Sequence, residues 1–328
     1  QFSASKFLYD VRRYGATALV YIGELCRYLV ATPPTSEDQN HRLRIAVGNG
    51  LRPDVWEPFQ NRFGIAMIRE FYTATEAPGG LLNWAGVPGT VGRLPGRGMG
   101  WLRLAKFDVE TEEHVRDANG FMREADVDEA GELLIRIPTK SALAGMDFRG
   151  YTDAKATDAK ILTNVFKQGD RYFRSGDLLR QDALGFYAFV DRIGDTFRCK
   201  GENVSTAEVS DVLSTTDGVA EVAVVGVRIT GQDGQFGLAA VVPKGDDVDL
   251  AALFETAKTL PTYMQPRFVR VMKTMATTST HKHQKAALKK EGADPSLTTD
   301  ALYFRGDSGY VRLTAALHAD LVNGRTRL

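Results

Sequence analysis

Short apolar runs alternate with amphipathic, helix-length stretches through the first 75 residues, and that alternation narrows the fold sharply. Ala18-Leu19-Val20-Tyr21-Ile22 suits a buried strand, and a helical pattern around Leu25 to Val30 follows it, ending before Pro33-Pro34. Leu43 to Val47 is the next apolar run, closed by Gly48-Asn49-Gly50. Pro53 sits well in the first turn of a helix carrying Val55, Trp56 and Phe59, and Gly64 can end it. Met67 to Phe71 forms a third strand. Upstream, Ser5 can cap a helix running through Phe7, Leu8 and Val11 to Arg13, with Gly15 as its stop. Strand–helix alternation of this kind predicts a parallel α/β sheet with helices packed on it.

The texture then changes twice. From about residue 81 the segments become shorter, Gly-rich and β-like: Gly131 to Ile137 is strand-like, and Leu178 to Val190 reads as a hairpin turning at Ala183-Leu184-Gly185. Near Gly194 a compact α+β pattern begins. Thr206 to Leu213 is helical, Val219 to Val227 and Gly237 to Val242 are strands, and Leu250 to Lys258 is helical. Phe268 to Met272 is a strand, Lys282 to Lys290 a polar helix, and the pattern fades after Gly309. The expected architecture is an α/β large-domain portion (a sheet with packed helices plus a β-rich segment) over residues 1–193. A small α+β lid domain over residues 194–328 follows it.

Composition removes several classes of function. Of the 328 residues, 41 are Lys or Arg and 41 are Asp or Glu, so no net basic field for nucleic acid exists. The two cysteines, Cys26 and Cys199, are too few and too far apart for a disulfide scaffold or a structural zinc site, and they fit a reducing compartment. No run approaches the roughly 20 apolar residues of a membrane span. A cytoplasmic placement is expected, with peripheral attachment to a membrane surface left open. The start at Gln1 is neither an initiator methionine nor a signal peptide, so the chain reads as a fragment.

Five segments carry chemistry, and each has a plain alternative when taken alone. Glu70-Phe71-Tyr72-Thr73-Ala74-Thr75-Glu76 runs from a strand into a loop presenting a ring, a hydroxyl and a carboxylate, at the sheet edge where open α/β sheets bind ligands. It could equally be a strand end before a helix start. Tyr172-Phe173-Arg174-Ser175-Gly176-Asp177-Leu178 puts a Gly-Asp pair on a tight turn, able to aim a carboxylate at a vicinal diol, or to be an ordinary Asx turn. Asp191 to Val204 is rich in charge and glycine where the texture changes, as a hinge or a solvated linker would be. Leu260-Pro261-Thr262-Tyr263-Met264-Gln265-Pro266 precedes the basic run Thr277 to Lys285, whose plain reading is a solvated helix start. His281 and His283 alternate within that run but have no partner ligand nearby for a metal.

In this order the five segments resemble the adenylate-forming acyl-CoA synthetase superfamily. Tyr72 to Glu76 is similar to its Tyr-Gly-x-Thr-Glu loop, Arg174 to Leu178 to its Arg-Thr-Gly-Asp-Leu, and Arg192 to Val204 to its hinge signature. A narrower resemblance, to the fatty-acid transport protein and very-long-chain acyl-CoA synthetase family, is carried by several further segments. These are Phe2 to Ser5, Tyr21 to Leu29, Gly48 to Arg52, Asp191 to Ser205, Lys290-Glu291-Gly292 and Ala301 to Phe304. The resemblance implies a ligase that converts fatty acid, ATP and CoA to acyl-CoA, AMP and pyrophosphate through an acyl-adenylate. It implies that Tyr72 stacks on adenine, that Gly48, Asn49 and Gly50 bring backbone to its edge, and that Asp177, supported by Arg192, binds the ribose. Thr75 would bond the α-phosphate, Glu76 would hold Mg²⁺, and Lys282 would act in adenylation. Gly194 would be the hinge, and Lys200, Gly201 and Glu202 would help form the CoA tunnel.

The sequence departs from the wider pattern in three places. Thr73 stands where Gly is usual, Gly194 stands at the hinge where many members have Asp or Lys, and no hydroxyl-rich phosphate loop ending in Pro-Lys occurs. In the family that loop lies upstream of residue 1, so the fragment alone is expected to be inactive. Two rivals remain: a fatty-acid uptake or scaffold protein that keeps the fold with reduced catalysis, and a relative that loads a carrier protein instead of CoA.

Overall fold

The computed structural model describes residues 2–73, 77–94, 101–137, 160–232, 234–275 and 285–326. The chain divides into two compact units, one of residues 1–107 and 114–189, the other of 108–113 and 190–328. Both are built from sheets with helices packed on them, a mixed α/β fold.

The first unit begins with α1 (Phe7–Arg13), β1 (Ala18–Ile22), α2 (Gly23–Ala31), β2 (Ile45–Asn49), α3 (Pro53–Arg62) and β3 (Met67–Thr73). β1, β2 and β3 pair in parallel, and β4 (Gly80–Leu82) closes the sheet antiparallel to β3. Helices α2 and α3 return the chain between parallel strands and pack on one another, burying Cys26, Leu29, Trp56, Phe59 and Phe63 with Ile68 of the sheet. Pro53 occupies the first turn of α3, and Gly64, at φ +60°, follows its last turn as expected. Two expectations need correction. Ser5 does not cap α1: its hydroxyl bonds Ser3 and the cap position falls to Lys6, without a side-chain bond. Among the described residues β1 is the outermost strand of its sheet rather than a buried one, with Val20 79% exposed.

A second sheet follows, made of β5 (Leu102–Asp108), β6 (Glu113–His114), β7 (Gly131–Arg136), β8 (Ile161–Thr163), β9 (Arg171–Gln181) and β10 (Tyr187–Arg192). Its order is β10-β9-β7-β5-β6, with β8 also on β9. Leu81, Leu104, Leu133, Ile135, Phe173, Leu179 and Tyr187 form its core. The hairpin between β9 and β10 turns where expected, Gly185 N–H donating to Asp182 O.

In the second unit a short hairpin, β11 (Phe197–Cys199) with β12 (Glu202–Val204), precedes α4 (Thr206–Leu213). The main sheet is β13 (Val219–Val227), β14 (Phe236–Pro243), β15 (Phe268–Val271), β16 (Ala301–Arg305) and β17 (Tyr310–Arg312), in that order. All its neighbours are antiparallel except β14 and β15, which α5 (Leu250–Ala257) connects in parallel. Helices α6 (Lys285–Glu291) and α7 (Ala315–Val322) complete the unit around Leu213, Val225, Leu238, Leu253, Phe268 and Leu321. Ser205 and Asp249 accept backbone N–H bonds at the starts of α4 and α5, which is why those two helices begin where they do. Among the described residues no helix is long and apolar enough to cross a membrane.

Candidate functional site

The parallel sheet places Tyr21, Gly48 and Glu70 side by side on β1, β2 and β3. Gly48 must be glycine there: a Cβ would fall 2.3 Å from the Tyr21 carbonyl oxygen and against the Tyr21 ring. Past Asn49 the chain turns at Gly50, whose φ of +72° is a left-handed conformation. The start of α2 abuts that turn, since a Cβ on Gly23 would lie 1.8 Å from Gly50 O. At the next amide, the Leu51 N–H donates to Glu70 Oε1 at 2.7 Å, and the Tyr21 hydroxyl donates to the same oxygen at 3.3 Å. The Gly48-Asn49-Gly50 segment is therefore held at its exit, where the Gly50–Leu51 peptide meets both α2 and Glu70.

Two residues beyond Glu70 on β3, the Tyr72 hydroxyl donates to Asp177 Oδ2 at 2.6 Å. Asp177 does not lie on a separate tight turn, as the Gly-Asp pair suggested. It lies within β9, where pairing shifts register between Glu132/Leu178 and Leu134/Arg174 and Gly176 takes φ +79°. Such a bulge redirects a side chain without ending the strand. Glu132, fully buried on β7, holds the bulge. It accepts both Arg174 Nε at 3.0 Å and the Gly176 N–H at 3.0 Å through Oε1, and its Oε2 lies 2.7 Å from His114 Nε2. Burial alone would raise the Glu132 carboxyl; His114 and Arg174 more than offset it and hold it below the usual range.

In the second unit, Asp191 accepts from the Thr206 N–H at 2.6 Å and hydroxyl at 3.1 Å, and from the backbone N–H of Arg192 at 2.9 Å. Gly194 stands at φ +86° with open space where a Cβ would go, so its backbone conformation, not crowding, favours glycine. The Gly194 carbonyl accepts from Lys289 Nζ. The Asp195 carboxylate meets Lys289 at 2.8 Å and Lys285 at 3.3 Å, and Lys285 also donates to the Thr206 hydroxyl at 2.8 Å. Lys200 and Gly201, at φ +52° and +90°, form the two-residue turn between β11 and β12, with Glu202 opening the second strand.

The structure thus groups Gly48, Asn49, Gly50, Tyr72 and Asp177 in the first unit. Arg192, Gly194, Lys200, Gly201 and Glu202 lie in the second. Thr75, Glu76 and Lys282, together with His281 and His283, lie outside the described residues. The Mg²⁺ assignment rests on Glu76, and among the described residues no group of three His, Cys, Asp or Glu side chains could hold a metal. A cleft of about 1370 Å³ touches Tyr72 and Thr73 but is lined otherwise by residues such as Trp84, Arg103 and Tyr187, and by none of Gly48 to Gly50 or Asp177. Hydrogen bonding therefore marks the candidate site better than cavity volume does. Sequence reasoning missed Glu70, Glu132 and His114. The signal for Glu70 was present: it shares the period-two face of Ile68 and Tyr72, an inward register where a carboxylate needs a partner.

The family described as AMP-binding enzyme matches residues 1–145, and that described as AMP-binding enzyme C-terminal domain matches residues 208–282. The chain is 43% identical over 335 residues to long-chain fatty acid transport protein 2 of Rattus norvegicus, covering 100% of this chain and 53% of that protein. It is 42% identical over 331 residues to long-chain fatty acid transport protein 1 of Homo sapiens, covering 99% and 51%. The chain spans about half the length of the curated relatives it matches. Among solved structures, ATP-bound MatB from Rhodopseudomonas palustris has a TM-score of 0.67 at 24% identity, covering 88% of this chain and 53% of that one. O-succinylbenzoate coenzyme A synthetase (MenE) from Bacillus subtilis, in complex with AMP, has a TM-score of 0.63 at 20% identity, covering 90% and 54%. At those identities the two structures speak for the fold alone. With the two family regions in this order, and transport-protein relatives aligned along its whole length, the chain belongs to the AMP-binding enzymes, the adenylate-forming acyl-CoA synthetase superfamily that includes the long-chain fatty acid transport proteins.

Proposed function

We propose that the protein carrying this chain is an ATP-dependent fatty-acid–CoA ligase. Residues 1–193 would supply the C-terminal part of its large domain, and residues 194–328 a mobile lid hinged at Gly194. In the first half-reaction an oxygen of the fatty-acid carboxylate forms a bond to the α-phosphorus of ATP as the bond to pyrophosphate breaks. In the second, the CoA sulfur, having lost its proton, attacks the acyl carbon and AMP leaves. Positioning and charge stabilisation dominate both steps.

The observation that carries this reading is the Tyr72–Asp177 hydrogen bond beside the clamped Gly48-Asn49-Gly50 turn. It supports a nucleoside site in which the Tyr72 ring faces adenine, the glycine backbone meets the base edge, and Asp177 accepts from the ribose hydroxyls. Thr75 and Lys282 would contact the α-phosphate and the carboxylate. Mg²⁺, held through Glu76, would neutralise phosphate charge. Lys200, Gly201 and Glu202, on their hairpin turn, would border the CoA path.

The relatives' own names speak of transport, so fatty-acid uptake with little catalysis is the competing reading. Incubating the full-length protein with fatty acid, ATP and Mg²⁺, with and without CoA, separates the two. The ligase reading expects AMP and acyl-CoA together only when CoA is present. No AMP from a protein that still restores fatty-acid uptake in cells would favour the competitor, and acyl transfer to a carrier protein but not to CoA would point to a third class.

A further inference from the structure

Glu70 is 4% exposed and stands between the Gly48 backbone of β2 and the aromatic Tyr72 farther along its own strand. Its only hydrogen-bond donors among the described residues are neutral, the Leu51 N–H and the Tyr21 hydroxyl. The other titratable group facing it is the Cys26 thiol of α2, and no cation shares the pocket among the described residues. Burying a carboxylate without a cation is costly, so this residue is poorly explained as a stabiliser of the sheet. Its geometry explains it differently. The Leu51 N–H is the first amide after Gly50, so the bond to Glu70 fixes the exit of the turn. Gly23, by its lack of a Cβ, lets α2 press on the same Gly50–Leu51 peptide.

We propose that Glu70 is a positioning residue of the nucleotide site: by tethering Leu51 it holds the Gly48–Gly50 turn in register with Tyr72, so that base and ribose meet a preformed surface. The proposal rests on the ligase reading above. Without the tether the turn, whose Gly50 has no neighbour within 4 Å of a Cβ position, would sample other conformations, and nucleotide binding would bear the ordering cost.

The test is made in full-length protein with two variants. Glu70→Leu removes the acceptor; Glu70→Gln keeps an oxygen for Leu51 at nearly the same size. Glu70→Leu should raise the KM for ATP about tenfold or more, the scale of losing one hydrogen bond to a charged acceptor, with kcat and the fatty-acid KM little changed. Glu70→Gln should return the ATP KM to near the wild-type value. Amide exchange at Leu51 should accelerate in the Leu variant and stay slow in the Gln variant. Parallel loss in both substrates' KM values, or no rescue by Gln, would overturn the proposal, as would an unchanged ATP KM in Glu70→Leu. Wild-type protein with no ATP-dependent chemistry would instead sink the ligase reading, an outcome distinct from these three.

Discussion

The Tyr72 hydroxyl and Asp177 Oδ2 meet at 2.6 Å although 105 residues separate them in the chain. That bond ties the end of the parallel sheet to the bulge in β9. Neither residue could be placed from its own segment: Tyr72 is aimed by the strand it ends, and Asp177 by Glu132 on the neighbouring strand. Within the first unit, the candidate nucleotide site is therefore a join between two sheets.

Asp177→Ala should remove the acceptor for both Tyr72 and the ribose. Hydrogen bonds to a charged acceptor are worth roughly 1.5–3 kcal/mol each, so ATP affinity should fall well beyond tenfold in the full-length protein. The second sheet should stay folded, because Asp177 is only half-buried and its bulge is held by Glu132. Calorimetry with ATP measures the first effect and circular dichroism the second. Unchanged nucleotide binding would remove Asp177 from the site.

Glu132→Leu should be the more damaging change to the fold, since it strands Arg174, His114 and the Gly176 N–H together. Removing one partner of a buried ion pair typically costs about 3–5 kcal/mol, and Glu132→Gln should cost distinctly less. Urea unfolding reads the difference. Because the folded Glu132 carboxyl is held below its unfolded value, its stabilisation is full above the ordinary carboxylate range and fades as acid protonates it in the fold. A wild-type denaturation midpoint in Glu132→Leu would show that the bulge needs no carboxylate.

Glu70 should show the opposite pH dependence. Burial pushes its carboxyl up from the usual 4.5 to about 7, against the pull of Leu51 and Tyr21. With the folded value above the unfolded one, protonated Glu70 favours the fold, so its contribution is full below pH 4.5 and is lost as pH rises through about 7. The shift corresponds to a change on the order of 3 kcal/mol. Burial first, and the Glu70 charge second, raise the Tyr21 hydroxyl and Cys26 thiol, so neither titrates in this window. Wild type should lose stability relative to Glu70→Gln between about pH 5 and pH 8. A difference that stays constant with pH would mean Glu70 keeps one charge state throughout.

Much of the second unit was legible in the sequence. Thr206–Leu213 and Val219–Val227 fall where periodicity placed them, because local patterning and the Ser205 cap agree with the tertiary packing. What stayed hidden depends on neighbours. An apolar run such as Ala18–Ile22 reads the same at the outside of a sheet as in its centre, and among the described residues no strand pairs with the outer side of β1, where Val20 is exposed. The bulge at Asp177 comes from register with β7, which Arg174 to Leu178 cannot encode alone. Helix α7 was missed although Thr314 caps it through Leu317 N–H, because its apolar face is short. The candidate nucleotide residues were named through motif resemblance, whereas Glu132 lies in no segment singled out for chemistry and Glu70, which heads the first of those segments, was given no role of its own.

Lys285 is the clearest case of a residue whose plain reading fails. A solvated helix start would make Lys285→Ala silent, yet its ammonium bridges Asp195 and Thr206, 90 and 79 residues away in sequence. Burial alone would raise the Asp195 carboxyl; Lys285 and Lys289 more than offset it and hold it below the usual range. Because these groups are partly exposed, the ion pair should contribute only up to about 1 kcal/mol, and a double-mutant cycle of Lys285→Ala with Asp195→Ala should show coupling of that order. The functional signature should differ from that of Lys282, three residues upstream. Lys282→Ala is expected to slow pyrophosphate exchange by roughly 10²–10³-fold, the scale for one lost preorganised contact, and to spare thioester formation from pre-made acyl-adenylate. Lys285→Ala loosens the tie between α6 and the Gly194–Asp195 segment that both half-reactions would use, so both should slow together and modestly. Lys290, exposed at the end of the same helix, is the proper silent control. Additive effects in the Lys285–Asp195 cycle, with both half-reactions at wild-type rates in Lys285→Ala, would return Lys285 to the solvated surface.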